Sequence, residues 1–238
     1  MSEKNPLRQQ KPIKNQTQIL KTYYKTLLPH IQPKGACFFV TFRLEGSIPK
    51  VELKKWEIEY NQKIVELNKI DDIKMRNLAL FDHRKRSLVE YDDLMTDIKS
   101  GPYHMQDDMV MQIVKYQLHR FDGELYDLIA YSIMSNHVHI LVDTVETKES
   151  EILEAALYDN NTDLSYILKR IKGASARYAN KELGVSGRFW NKENYDIYIR
   201  NEKMLKNVIG YILDNPVKAK IVKEWKEYPG NYLKSSEF

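Results

Sequence analysis

Two short β-rich runs, Tyr126–Met134 (YDLIAYSIM) and His137–Val142 (HVHILV), stand two residues apart, and this spacing constrains the fold more than any other feature. Two apolar stretches joined by a polar pair, Ser135-Asn136, predict an antiparallel hairpin. In the second run His137 and His139 are residues i and i+2 of a strand. Both imidazoles therefore leave one face while Val138 turns to the other. Two imidazoles on one face can hold a single metal ion, although the same spacing also arises by chance in ordinary strands.

The remaining elements are read around that hairpin. Ala36–Leu44 is rich in aromatic and β-branched residues and predicts a first strand, closed by Gly46 and Pro49. Residues 1–34 are polar and basic, with four prolines that exclude a long helix, and read as an N-terminal arm. From Val51 to about Lys99, apolar residues such as Trp56, Ile64, Leu67, Leu78, Phe81, Leu88 and Tyr91 recur at helical spacing amid dense charge. Two or three amphipathic helices are expected there, as an insertion beside the main fold. Further helices are expected over 106–121, 163–183 and 202–214, the last stopped by Asn215-Pro216. A strand is expected within 188–200, and an acidic loop over 144–162. This order predicts one α+β domain over residues 35–232, an antiparallel sheet with helices on one side, and a short tail at 233–238.

Composition narrows the function. The longest apolar runs are far too short to cross a membrane, and the first residues lack the apolar core of a secretory signal. Cys37 is the single cysteine, which excludes an internal disulfide and a multi-cysteine zinc site. A cytoplasmic address is expected. The net charge of +4 permits nucleic-acid binding without requiring it. Basic residues concentrate in Lys4–Lys25, Arg84–Arg86, Lys169–Arg177 and Lys218–Lys226, and sixteen tyrosines and seven phenylalanines offer stacking faces for unpaired bases. On the helix at 163–183, Lys169, Arg170, Lys172 and Arg177 lie opposite the apolar stripe. They are candidates for DNA contact or a plain solvated face.

Tyr211 is the candidate nucleophile. Leu205, Val208, Ile209, Ile212 and Leu213 form the apolar arc of its helix, and Tyr211 falls at the margin of that arc. There it can present its hydroxyl to a cleft or simply pack. Asn215 lies one turn on and shares its face if the helix persists, but Pro216 biases the preceding residue away from helix. Asn215 could thus complete a metal site, orient a phosphate or end the helix.

Taken in order, these segments resemble a known group. Ile133-Met-Ser-Asn-His-Val-His-Ile-Leu-Val142 is similar to the histidine-hydrophobe-histidine strand of the single-tyrosine HUH transposases, the insertion-sequence-200-like family. Phe189-Trp190, Tyr195-Asp-Ile-Tyr-Ile-Arg-Asn-Glu202 and Tyr211-Ile-Leu-Asp-Asn-Pro-Val-Lys218 resemble the C-terminal half of its branch of REP-associated tyrosine transposases. Phe39-Val-Thr-Phe-Arg43 resembles the branch's first strand. The likeness covers about 35–45 and 126–232. Ser135 departs from a frequent proline, the segment 51–99 is longer than in compact members, and an extended C-terminal DNA-binding segment is expected to be missing.

The resemblance implies a ferredoxin-like antiparallel sheet, the HUH nuclease fold. It implies a Mg²⁺ or Mn²⁺ ion on His137 and His139, helped by Asn215, and a 5′-phosphotyrosine formed by Tyr211 on single-stranded DNA. Arg43 joins the helix cations as an expected DNA contact. Hairpin or repeat ends are the implied partner, no membrane is, and the chain is expected to act as a monomer or homodimer. Three rivals stay open: a catalytically silent, domesticated regulator that binds DNA hairpins; a replication-initiation nuclease or relaxase; and a metal protein acting on a small molecule. Relaxases place the tyrosine before the histidine pair, unlike Tyr211.

Overall fold

A computed structural model describes residues 23–25, 29–32, 35–97, 101–144 and 163–234. Alternation along the central strand sets the layers. In β3 (Cys37–Leu44), Phe38, Val40, Phe42 and Leu44 point one way and Phe39, Thr41 and Arg43 the other, and all eight residues are buried. A strand buried on both faces needs a layer on each side. Residues β4 (Asp127–Ile133), β5 (His137–Asp143), β6 (Trp190–Tyr198) and β7 (Asn231–Leu233) complete a sheet of order β6-β3-β5-β4-β7, with every neighbouring pair antiparallel. β1 (Tyr23–Lys25) and β2 (Pro29–Ile31) form a separate two-stranded hairpin within the expected basic arm.

The expected α+β antiparallel sheet is present, but its helices are not confined to one side. Helices α3 (Asp108–His119) and α4 (Asp163–Glu182) cover the Phe38 face through residues such as Val114, Leu118, Ile167 and Ile171. On the Phe39 face lie α1 (Lys50–Leu67), α2 (Ile73–Asp97) and α5 (Glu202–Lys218), contributing Trp56, Tyr60, Leu88, Met95, Ile209 and Ile212. α5 already stands on that face, and the insertion completes the layer. Trp56 stacks on Tyr60 and tilts onto Tyr91, giving α1 and α2 an aromatic seam that needs the sheet to cover it. Arg84 Nη2 of α2 donates to the Asp196 carbonyl at 2.6 Å, and Asn136 Nδ2 donates to the Met95 carbonyl at 2.9 Å. The insertion is thereby clamped both to the edge strand and to the β4–β5 turn.

Two boundaries differ from the sequence expectation. α5 runs through Pro216 to Lys218 instead of stopping at Asn215. Pro216 cannot donate to the Ile212 carbonyl, yet burial of Ile212, Leu213, Asn215 and Pro216 holds the last turn in place, and Asn215 Nδ2 adds a bond to the Tyr211 carbonyl. β7 is three residues long, too short for periodicity to reveal. The expected acidic loop lies, from residue 145 on, outside the described residues. Among those described, no helix is long and apolar enough to cross a membrane.

At the far end of the hairpin, Asp143 of β5 pairs with Asp127 of β4. Burial first, and the Asp127 charge second, push the Asp143 carboxyl up to about 6. A carboxyl raised on folding contributes stability below its unfolded value, and that contribution is lost as pH rises through about 6. Asp143→Asn is therefore expected to stabilise the fold at pH 7.5 by on the order of 1 kcal/mol, and to have no such benefit at pH 4. Urea titrations at the two pH values check this; equal effects at both would contradict it.

Candidate active site

The β3–β5 register sets Thr41 opposite His139 and Arg43 opposite His137. Both imidazoles leave the Phe39 face of the sheet, as the i, i+2 spacing requires, and both are buried. Each ring is fixed through its Nδ1. Asn136 Oδ1 lies 2.7 Å from His137 Nδ1, and Thr41 Oγ1 lies 2.7 Å from His139 Nδ1. The Asn136 amide is oriented by its own bond to the Met95 carbonyl, so the oxygen toward His137 can only accept. His137 Nδ1 therefore carries the proton, and its Nε2 presents a lone pair.

Both Nε2 atoms face one carboxylate, that of Asp92 on α2. Asp92 Oδ1 lies 3.3 Å from His137 Nε2 and 3.0 Å from His139 Nε2. All three atoms are buried, and none has a hydrogen-bond partner. Burial lowers the His137 pKa and so favours the neutral ring. Burial alone would raise the Asp92 carboxyl, but the facing His139 and His137 rings hold it well below the usual carboxylate range. An ionised carboxylate facing an imidazole lone pair is an arrangement that a cation resolves. The ligand atoms all lie within 4.8 Å of one another, which suits a common divalent ion.

The second oxygen of the same carboxylate reaches the tyrosine. Tyr211, half-buried on α5, donates its hydroxyl to Asp92 Oδ2 at 2.5 Å. Its ring lies edge-on to His139 and Phe39, and Lys218 Nζ sits 4.3 Å from its centroid. Burial first, then the Asp92 charge, raises the phenol pKa far above its ordinary value. In this state the hydroxyl stays protonated. Asp92 is thus shared between the histidine pair and the phenol.

His137, His139 and Tyr211, singled out from the sequence, are brought together; Asn215 lies one turn beyond Tyr211 on α5. Its amide donates to the Tyr211 carbonyl at 2.9 Å, and the third ligand atom, the one acidic member, comes from Asp92. A sequence signal for Asp92 existed: with Leu88 and Met95 it forms a buried helical stripe, and a carboxylate within such a stripe wants a partner. The other tyrosines near the motifs are engaged elsewhere. Tyr195 donates to the Arg84 carbonyl, and Tyr131 is buried in the core on the opposite sheet face.

The expected DNA-contact set is corrected in one member and divided in the rest. Arg43 is buried, its Nε donating to Tyr91 Oη at 2.7 Å and its Nη1 to Ser47 at 3.3 Å, so its guanidinium is not presented to a passing strand. A cation on the inner face of a central strand must find partners there. α4 covers the face opposite Asp92 and the histidines. Lys169 and Lys172 turn toward β6, whereas Arg170 lies over Phe121 and Arg177 over Tyr178. The four cations do not form one surface. Lys172 is mostly buried and donates to the Asn191 carbonyl, and burial pushes its ammonium down to about 8.

Thr41 and Asn136 act on the cluster through the rings they orient. Thr41→Val and Asn136→Ala are each expected to weaken Mn²⁺ binding by about 10–100-fold, as losses of histidine-orienting partners do. Calorimetric titration of the purified variants measures this. Unchanged affinity would mean the rings hold their orientation without these partners.

No family model and no curated protein matches the chain. Among solved structures, a REP-associated tyrosine transposase bound to a REP hairpin is similar over 85% of this chain and 79% of its own, with 14% identity and a TM-score of 0.45. A candidate transposase from Deinococcus radiodurans R1 is similar over 74% of this chain and 87% of its own, again with 14% identity, at a TM-score of 0.29. Both likenesses are loose. What defines the chain's chemistry is the cluster itself, one buried carboxylate shared between two imidazoles and a phenol.

Proposed function

We propose that the protein is a transposase-like endonuclease and strand transferase of single-stranded DNA, with Tyr211 as nucleophile and a divalent ion on His137, His139 and Asp92. The observation that carries this reading is the convergence of Tyr211 and both histidines on the Asp92 carboxylate. These are the residue types required for metal-assisted phosphoryl transfer to a tyrosine. The motif resemblance supplies the substrate class. Asp92 takes the ligand role that the resemblance alone gives to Asn215.

The residues divide the chemistry as follows. His137 and His139, each oriented through its Nδ1, turn their Nε2 atoms to one point, and Asp92 Oδ1 offers the anionic ligand. A bound Mg²⁺ or Mn²⁺ would polarise the scissile phosphate and offset the Asp92 charge that keeps the phenol protonated. Imidazole ligands favour Mn²⁺ over Mg²⁺. Tyr211 Oη attacks the phosphorus in line as its proton passes to Asp92 Oδ2, which already accepts it. The new bond is Oη–P, and the bond that breaks is P–O3′. The products are a 5′-phosphotyrosine and a free 3′-OH once the leaving oxygen takes up a proton from water. The link retains the phosphodiester energy, so a second 3′-OH can reverse the step and join a different end.

Incubation with single-stranded oligonucleotides from the gene's own flanks, with and without foldable hairpins, tests the reading. A covalent protein–DNA species that survives denaturation and requires Mg²⁺ or Mn²⁺ is expected. Binding without any adduct, across hairpin and repeat ends and with either metal, would leave a DNA-binding regulator in its place.

A further inference from the structure

We propose that the groove between α4 and the start of β6 receives an unpaired nucleotide of the DNA strand, a subsite on the sheet face opposite the Asp92 cluster. The inference rests on the single-strand reading above and assigns that strand a second point of attachment. The groove has a volume of about 570 Å³, ample for a nucleotide and within the range of ordinary ligand pockets. Lys169, Lys172, Arg188 and Lys192 line it, against one carboxylate, Glu193, among its described lining residues. Lys169, Arg188 and Lys192 are exposed. Such a field fits the phosphates on either side of a base. Phe189 and Trp190, buried in the core, close the hollow from beneath, and Asn191 and Asn194 are among its lining residues. A hollow of this kind accepts a base turned out of a single strand; a duplex keeps its bases stacked inside.

A glycine supplies the second observation. Gly173 lies in the middle of α4, where glycine weakens a helix, and a Cβ built there would meet nothing within 4 Å. No neighbour in the fold requires its smallness. Gly187 across the groove, where a φ of +100° itself favours glycine, also leaves its rim bare. Bare walls on both sides of a basic hollow suit a ligand that approaches the backbone closely. The groove also sits at the catalytic end of the sheet. Trp190 pairs with Leu44, and its neighbour Arg43 pairs with His137, so one strand turning round that end of the sheet could reach both places.

Gly173→Leu tests the subsite, because the new side chain has room in the protein and fills the hollow. Its melting temperature should equal or exceed that of the wild type, and its Mn²⁺ affinity should not change. Its affinity for oligothymidylate, read by fluorescence anisotropy, should fall about tenfold or more, the scale of one displaced base. Lys169→Ala/Lys192→Ala should flatten the log–log salt dependence by about 1.4, for two phosphate contacts on a single strand. Wild-type affinity and salt slope in both variants would overturn the groove and leave the catalytic reading intact. Failure of the wild type to bind any single strand would overturn the catalytic reading and the groove with it. An equal loss of duplex binding in Gly173→Leu would overturn the assignment to an unpaired base.

Discussion

Asp92→Ala is expected to lower Mn²⁺ affinity more than about 100-fold, beyond what loss of an orienting partner causes. The carboxylate is the one anion among the three converging ligand atoms, and without it two neutral imidazoles remain. Asp92→Asn serves as the companion variant: it keeps the volume and removes the charge, and it should lose nearly as much. Asn215→Ala should stay within about threefold of wild type, because the Asn215 amide is turned to the Tyr211 carbonyl. Calorimetric titration of the three variants separates the assignments. A larger loss in Asn215→Ala than in Asp92→Asn would return the third ligand to α5 and leave the insertion a packing role.

Tyr211→Phe is expected to abolish strand cleavage and the covalent adduct while DNA and Mn²⁺ still bind. The substitution deletes one oxygen and keeps the ring against His139 and Phe39, so the packing barely changes. What is lost structurally is one hydrogen bond to a buried carboxylate, about 1–3 kcal/mol of stability. That cost should show as a modest drop in melting temperature that Mn²⁺ partly restores, because the ion satisfies Asp92. Gel-shift and denaturing-gel assays on one preparation read the two halves of the prediction. An adduct that persists in Tyr211→Phe would give the nucleophile to another side chain.

The parts of this site legible in the sequence were those fixed by short-range geometry. The i, i+2 histidines and the two-residue turn follow from strand periodicity, and Tyr211 at the margin of an amphipathic helix follows from the 3.6-residue repeat. Asp92 escaped because its partners are 45 and more residues away, and its place on the Leu88–Met95 stripe marks it as buried without saying against what. The two-sided layering escaped for a similar reason. The alternation in β3 indicates two faces, yet only the fold reveals that the charge-rich insertion carries enough aromatic surface, from Trp56 to Tyr91, to cover the second. Arg43, expected at the DNA through the resemblance, is instead held inside by Tyr91 and Ser47. The helix stop misled because proline disfavours a continuing helix, and burial of the last turn of α5 outweighs that preference.

Trypsin frees Tyr211 in a peptide, Asn207–Lys218, that contains no other tyrosine. Mass spectrometry of the covalent complex, formed with Mn²⁺ on a single-stranded oligonucleotide and digested with trypsin and nuclease, therefore locates the nucleophile directly. The nucleotide mass is expected on Asn207–Lys218, attached at Tyr211 through a 5′-phosphate. That mass on any other peptide, or a cleaved strand with no peptide attached, would contradict tyrosine-linked cleavage at the Asp92, His137 and His139 cluster.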